Sequence, residues 1–142
     1  MPAPSSAYPQ LDDNSGLLYH FSFLADMEFR IVQRKENFTA GRLMQGLTYA
    51  HEKLKCEICM GFDSREHLFM LNVFFNGATQ IHPDFFGGDV WPLHLINKKF
   101  SVYPEIISRW DSPVEFQELL RQSAHIIKTT LPSLMASQLE DH

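Results

Sequence analysis

Hydrophobic and polar positions divide this chain into stretches of different period. Leu54, Cys56, Ile58, Met60 and Phe62 alternate with Lys53, Lys55, Glu57, Cys59 and Gly61, the two-residue period of a strand with one buried face. Asp63-Ser64-Arg65-Glu66 follows as a polar turn, and Leu68 to Phe75 returns as an almost unbroken apolar run. Such a run predicts a strand near the centre of a sheet covered on both faces. Earlier in the chain, Leu17, Tyr19, Phe21 and Phe23 alternate, as do Met27, Phe29 and Ile31 against Glu28 and Arg30. That pattern predicts two strands joined near Ala25-Asp26. Leu17, Phe21, Leu24, Met27 and Ile31 also share one helix face, so residues 17–35 carry a strand and a helix reading side by side.

Asn37 to Gly46 holds two glycines and no clear period, which reads as a connection with one turn of helix. Beyond the loop from Ala78 to Asp89, Val90 to Ile96 and Phe100 to Tyr103 read as a second hairpin, turning at Asn97-Lys98-Lys99. Pro92 has no amide to donate, so it marks a strand start or a sheet edge. The C-terminal helix is the best-signalled element. Ser112 suits the N-cap, Pro113 the first helical position, and Glu115 the third residue of a capping box. Phe116, Leu119, Leu120, Ile127 and Leu131 then recur at helical spacing, and Pro132 is expected to stop or kink the helix, with a short second helix over Ser133 to Leu139. The fold class is therefore α+β: an antiparallel sheet of five or six strands with a C-terminal amphipathic helix on one face. Residues 1–16, rich in proline and serine, read as a mobile tail, and residues 17–139 as one globular domain.

Composition changes this picture little. The chain has 142 residues, 44% hydrophobic and 20% charged, the usage of an ordinary globular domain rather than a disordered or disulfide-built one. Charge adds more. The formal total of -5 is concentrated at the two ends: residues 1–27 and 105–142 each carry -3, while the middle is near neutral. A phosphate backbone calls for a basic face, so nucleic acid is not an expected partner. No apolar run approaches the roughly 18 residues that a membrane helix needs, and the N-terminus lacks the pattern of a secretory signal. The expected location is the cytoplasm, with both cysteines reduced and no membrane partner.

Candidate chemistry is sparse. Cys56-Glu57-Ile58-Cys59 could present two thiolates to a metal with His51 and His67 beside them. Residues three apart on a strand point to opposite faces, however, so structural cysteines are the expected outcome. His82, Asp84 and Asp89 share one loop and could form an acid–base pair. No nucleophile elbow, phosphate loop or dinucleotide fingerprint is present. The expectation is no catalytic residue, no cofactor and no metal. The alternative is a small enzyme or metal-binding module built on those loop residues or on the Cys56/Cys59 pair.

The segment Asp84-Phe85-Phe86-Gly87-Gly88-Asp89-Val90-Trp91 carries the functional expectation. Three aromatics flanked by acids in a glycine- and proline-rich loop either fold back into the core or project toward a partner. Asp84, Phe85, Phe86, Asp89 and Trp91 are the candidate partner-binding residues, and acids there and at both termini suit a protein with a basic surface. In size and layout alone, the chain resembles small bacterial toxin-neutralising (immunity) proteins and acidic secretion chaperones. That resemblance implies a non-catalytic protein-binding module.

Overall fold

The computed structural model describes residues 17–39, 42–51, 53–63, 65–75, 90–106 and 109–140. The expected tail at residues 1–16 lies outside them. Five strands, β1 (Phe29–Thr39), β2 (Arg42–His51), β3 (Cys56–Asp63), β4 (Leu68–Phe75) and β5 (Val90–Pro92), form one antiparallel sheet in the order β1-β2-β3-β4-β5. The helices are α1 (Leu17–His20), α2 (Phe23–Asp26), α3 (Leu93–Phe100) and α4 (Pro113–Glu140). The α+β class, the single sheet and the C-terminal helix are as expected, with five strands.

One face of the sheet makes the core. Leu47 and Tyr49 of β2, Ile58, Met60 and Phe62 of β3, and Phe69, Leu71, Val73 and Phe75 of β4 are buried in one cluster. Phe116, Leu119, Leu120, Ile126, Ile127, Leu131 and Leu134 of α4 complete it. Each such side chain contributes about 1.5–3 kcal/mol relative to exposure. Trp110 is 1% exposed at the entry to α4, with its ring 4.5 Å from Phe116 and 6.2 Å from Phe62. Just after it, the Ser112 hydroxyl caps α4 by accepting the Glu115 amide at 3.2 Å. The Glu115 carboxylate reaches back to the Asp111 amide at 2.9 Å, so the box closes one residue earlier than its usual form.

Four expectations are corrected. Over residues 17–26 the strand reading gives way to the helical one: two short helices form, with Leu17, Phe21 and Leu24 fully buried while Tyr19 is 60% exposed. Only the stretch from Phe29 onward is a strand. Residues 37–39 and 42–46 are not a connection: they belong to β1 and β2, whose register runs from Phe29↔His51 to Thr39↔Arg42 with a bulge at Val32. The second hairpin is replaced by β5 and α3. Leu93, Ile96 and Asn97 are buried at helical spacing, and the Asn97 amide takes the place of a strand partner. Its Nδ2 donates to the Tyr103 carbonyl at 3.0 Å, and its Oδ1 accepts the Tyr103 amide at 2.9 Å. Finally, α4 continues through Pro132 for 28 residues. Proline leaves the Lys128 carbonyl without its helical donor, but Lys128 and Pro132 are exposed, so water can serve it. Burial of Leu131 and Leu134 on either side offsets the break.

Candidate functional site

The apolar character of β4 on both faces has an unexpected consequence. Phe69, Leu71, Val73 and Phe75 enter the core, whereas Leu68 and Met70 are 40% and 57% exposed. Among the described residues nothing covers the second face of the sheet at this end, which corrects the expectation of a strand buried on both sides. Register places three rows of side chains across this open face. Asn37, Met44, Asp63 and Leu68 form one row, and Gln33, Thr48, Cys59 and Asn72 another. Between them runs Lys35, Gly46, Gly61 and Met70. The two central positions of that middle row have no side chain, and a hollow of 460 Å³ opens over them. It adjoins a second hollow of 310 Å³ toward Thr48 and Asn72. The first volume falls within the range of ligand pockets, about 300–1,000 Å³.

The hollow is chemically graded. Met44, Leu68 and Met70 give it apolar walls, and exposed Lys35 borders it on the edge strand. Asp63 is buried, and its Oδ1 accepts the Arg65 and Glu66 amides at 2.9 and 3.4 Å, which fixes the β3–β4 turn. On the far side the Thr48 hydroxyl donates to the Cys59 sulfur at 3.7 Å. Burial pushes the Cys59 thiol up, against the opposing effects of that hydrogen bond and of Lys35.

Cys56 faces the core, 1% exposed, and burial pushes its thiol up to about 12. The two cysteines are free and lie on opposite faces of β3. That geometry prevents both sulfurs from holding one ion, and both raised thiols are poor nucleophiles and ligands at neutral pH. In the native protein, a disulfide reagent should therefore titrate Cys59 slowly and leave Cys56 unreacted until denaturant is added. Equal, rapid release of two equivalents under native conditions would contradict this placement.

Three of the described histidines, His20, His51 and His67, have structural roles. His51 Nδ1 accepts the Lys53 and Leu54 amides at 3.1 and 3.2 Å and holds the β2–β3 turn. His67 stacks on Trp110, with ring centroids 5.2 Å apart, and one ring nitrogen lies 2.5 Å from the Trp110 carbonyl oxygen. His20 Nε2 contacts Gln117 Oε1 at 3.0 Å, tying α1 to α4. Among the described residues no group of three or more His, Cys, Asp or Glu side chains could hold a metal.

Of the expected partner-binding residues, Asp84, Phe85, Phe86 and Asp89 lie outside the described residues, as does His82. Trp91 sits in β5 opposite Val73, half-buried against the core, with Lys99 Nζ 5.6 Å from its ring centroid. The open-face residues were missed because a chain of alternating positions does not reveal which face a helix will cover. Two signals pointed there: an apolar run longer than one face needs, and glycines inside two neighbouring strands. No described helix is long and apolar enough to cross a membrane. Set against known protein families, characterised proteins and solved structures, the chain matches none.

Proposed function

We propose that this chain is a non-catalytic protein-binding module that engages its partner on the open face of the sheet. The observation that carries the reading is the exposure of Met44, Leu68 and Met70 together around a preformed hollow. Methionine-rich apolar surface that is not used for the chain's own core is characteristic of binding surfaces. The net charge of -5, held mainly at the two ends, favours a partner of net positive charge through long-range steering. Neutralising a toxin or escorting a secreted protein in the cytoplasm are the roles this module would suit. The acids and aromatics at Asp84, Phe85, Phe86 and Asp89 would be further contacts to the same partner.

A photo-crosslinking residue at position 70 tests the reading in the cells that make the protein. One discrete protein adduct is expected, absent when the crosslinker stands at exposed Lys128 on the far side of α4. The purified adduct partner should bind in solution at fixed stoichiometry, with association slowed by salt, and Met70→Asp should abolish binding. Adducts no stronger at position 70 than at position 128 would overturn the proposal.

A further inference from the structure

Glycine at position 46 needs explaining. It lies in the interior of β2, where glycine weakens a strand and commonly marks close approach of another group. Its backbone lies outside the left-handed region, and an added Cβ would meet nothing closer than the Met60 carbonyl oxygen at 3.5 Å and the Lys35 Cβ at 3.9 Å. Both are ordinary contacts. Among the described residues, neither conformation nor packing therefore requires glycine here. Gly61 differs, since a Cβ there would stand 2.8 Å from the Gln45 carbonyl oxygen. The effect of Gly46 is the space it leaves: with Gly61 beside it, two adjacent side-chain sites are missing from the middle row.

We propose that this hollow is a socket for one aromatic side chain of a protein partner, with a carboxylate next to that side chain meeting Lys35. The proposal rests on the protein-binding reading above and specifies the anchor. The floor is bare peptide backbone from two strands about 4.8 Å apart, against which a ring can lie. An aromatic side chain over strand glycines restores the packing that the glycines lack. The walls are the thioethers of Met44 and Met70, which make favourable contacts with ring edges. Charge decides the flanking group. Lys35 is exposed at the rim and lines both hollows. The Asp63 carboxylate on the opposite border already accepts two backbone amides. A local acid beside the anchor is compatible with a partner whose total charge is positive.

Small probes test the socket without knowledge of the partner. Protein labelled at its methionine methyls is titrated with 3-phenylpropionate, 3-phenylpropylamine and hexanoate, and followed by NMR. Phenylpropionate should shift the Met44 and Met70 methyls saturably in the millimolar range expected of a fragment this small. The buried Met60 methyl should stay in place. The amine should bind about fivefold more weakly because its charge opposes Lys35, and hexanoate should also bind more weakly because it lacks the ring. Gly46→Val should remove the shifts while leaving the melting temperature at or above that of the parent, with Gly46→Ala as the milder filling variant. No saturable shift at Met44 and Met70, an amine or hexanoate as tight as phenylpropionate, or undiminished binding by folded Gly46→Val would each overturn the socket. If position 70 still crosslinks one partner in that event, the protein-binding reading stands and only the anchor is lost.

Discussion

Replacing Trp110 with alanine is expected to destabilise the protein by about 3–5 kcal/mol, the range for truncating a large buried aromatic. Trp110 is the largest fully buried side chain among the described residues. It joins three parts of the fold at one point: Phe62 from β3, Phe116 from the first turn of α4, and the stacked ring of His67 beside β4. Removing the indole leaves a cavity between the sheet and the N-terminus of the helix. The neighbours cannot close it easily, because the Phe62 and Phe116 rings are already packed with centroids 4.8 Å apart and the Trp110 carbonyl is engaged by His67. Set against a typical total of about 5–15 kcal/mol, the loss would lower the melting temperature by roughly 10–20 °C. Denaturant unfolding followed by circular dichroism measures it. Val114→Ala, at a side chain 78% exposed two residues from the Ser112 cap, is the control; a change within about 0.5 kcal/mol is expected there. A Trp110→Ala loss no larger than that of the control would mean that the helix is not anchored at this point.

The second large effect separates two neighbouring glycines. Gly46 and Gly61 are directly paired across β2 and β3, yet alanine should act on them with opposite signs. At Gly61 the new methyl would lie 2.8 Å from the Gln45 backbone oxygen. A backbone atom cannot swing aside as the end of a side chain can, so two central strands must shift apart. A destabilisation of about 1–3 kcal/mol follows, as for other overpacked sites. At Gly46 the methyl enters the hollow at ordinary contact distance and restricts the unfolded chain, which stabilises by about 0.4–1 kcal/mol. Paired unfolding curves for the two variants decide the matter. Destabilisation of similar size at both sites would show that Gly46, too, is held by packing, and would remove the reason for regarding its empty space as functional. The expected pattern has a familiar physical logic: a binding surface is kept at some expense of stability.

The same rows explain why the hollow lies where it does. Toward β5 the sheet closes, since Val90 and Pro92 are buried. Toward the β1–β2 and β3–β4 turns it stays open, and the exposed methionines, Leu68 and Lys35 gather there. Polar Thr48, Cys59 and Asn72 then limit the apolar area to one end of the face. A site bounded in this way can select one anchoring side chain without offering a broad adhesive surface.

Much of the architecture was determined by sequence alone. The alternation through Cys56 to Asp63, the polar turn, the run from Leu68 to Phe75 and the capped helix beginning at Pro113 each encode a local choice strongly enough to survive folding. The opposite placement of Cys56 and Cys59 also follows from strand geometry alone. Tertiary structure decided what local period could not. Leu17 and Phe21 satisfy two periods at once, and only packing against the core selects the helical one. Residues 37–39 lack a period because β1 is an edge strand, so hydrogen bonding to β2 makes the strand. Asn97 turns an expected hairpin into a helix by bonding Tyr103 with its side chain. Which face of the sheet stays open was likewise a tertiary decision. Alternation defines two faces but not which one a helix covers. The hollow over Gly46 and Gly61 exists only because register brings two distant glycines side by side on the uncovered face.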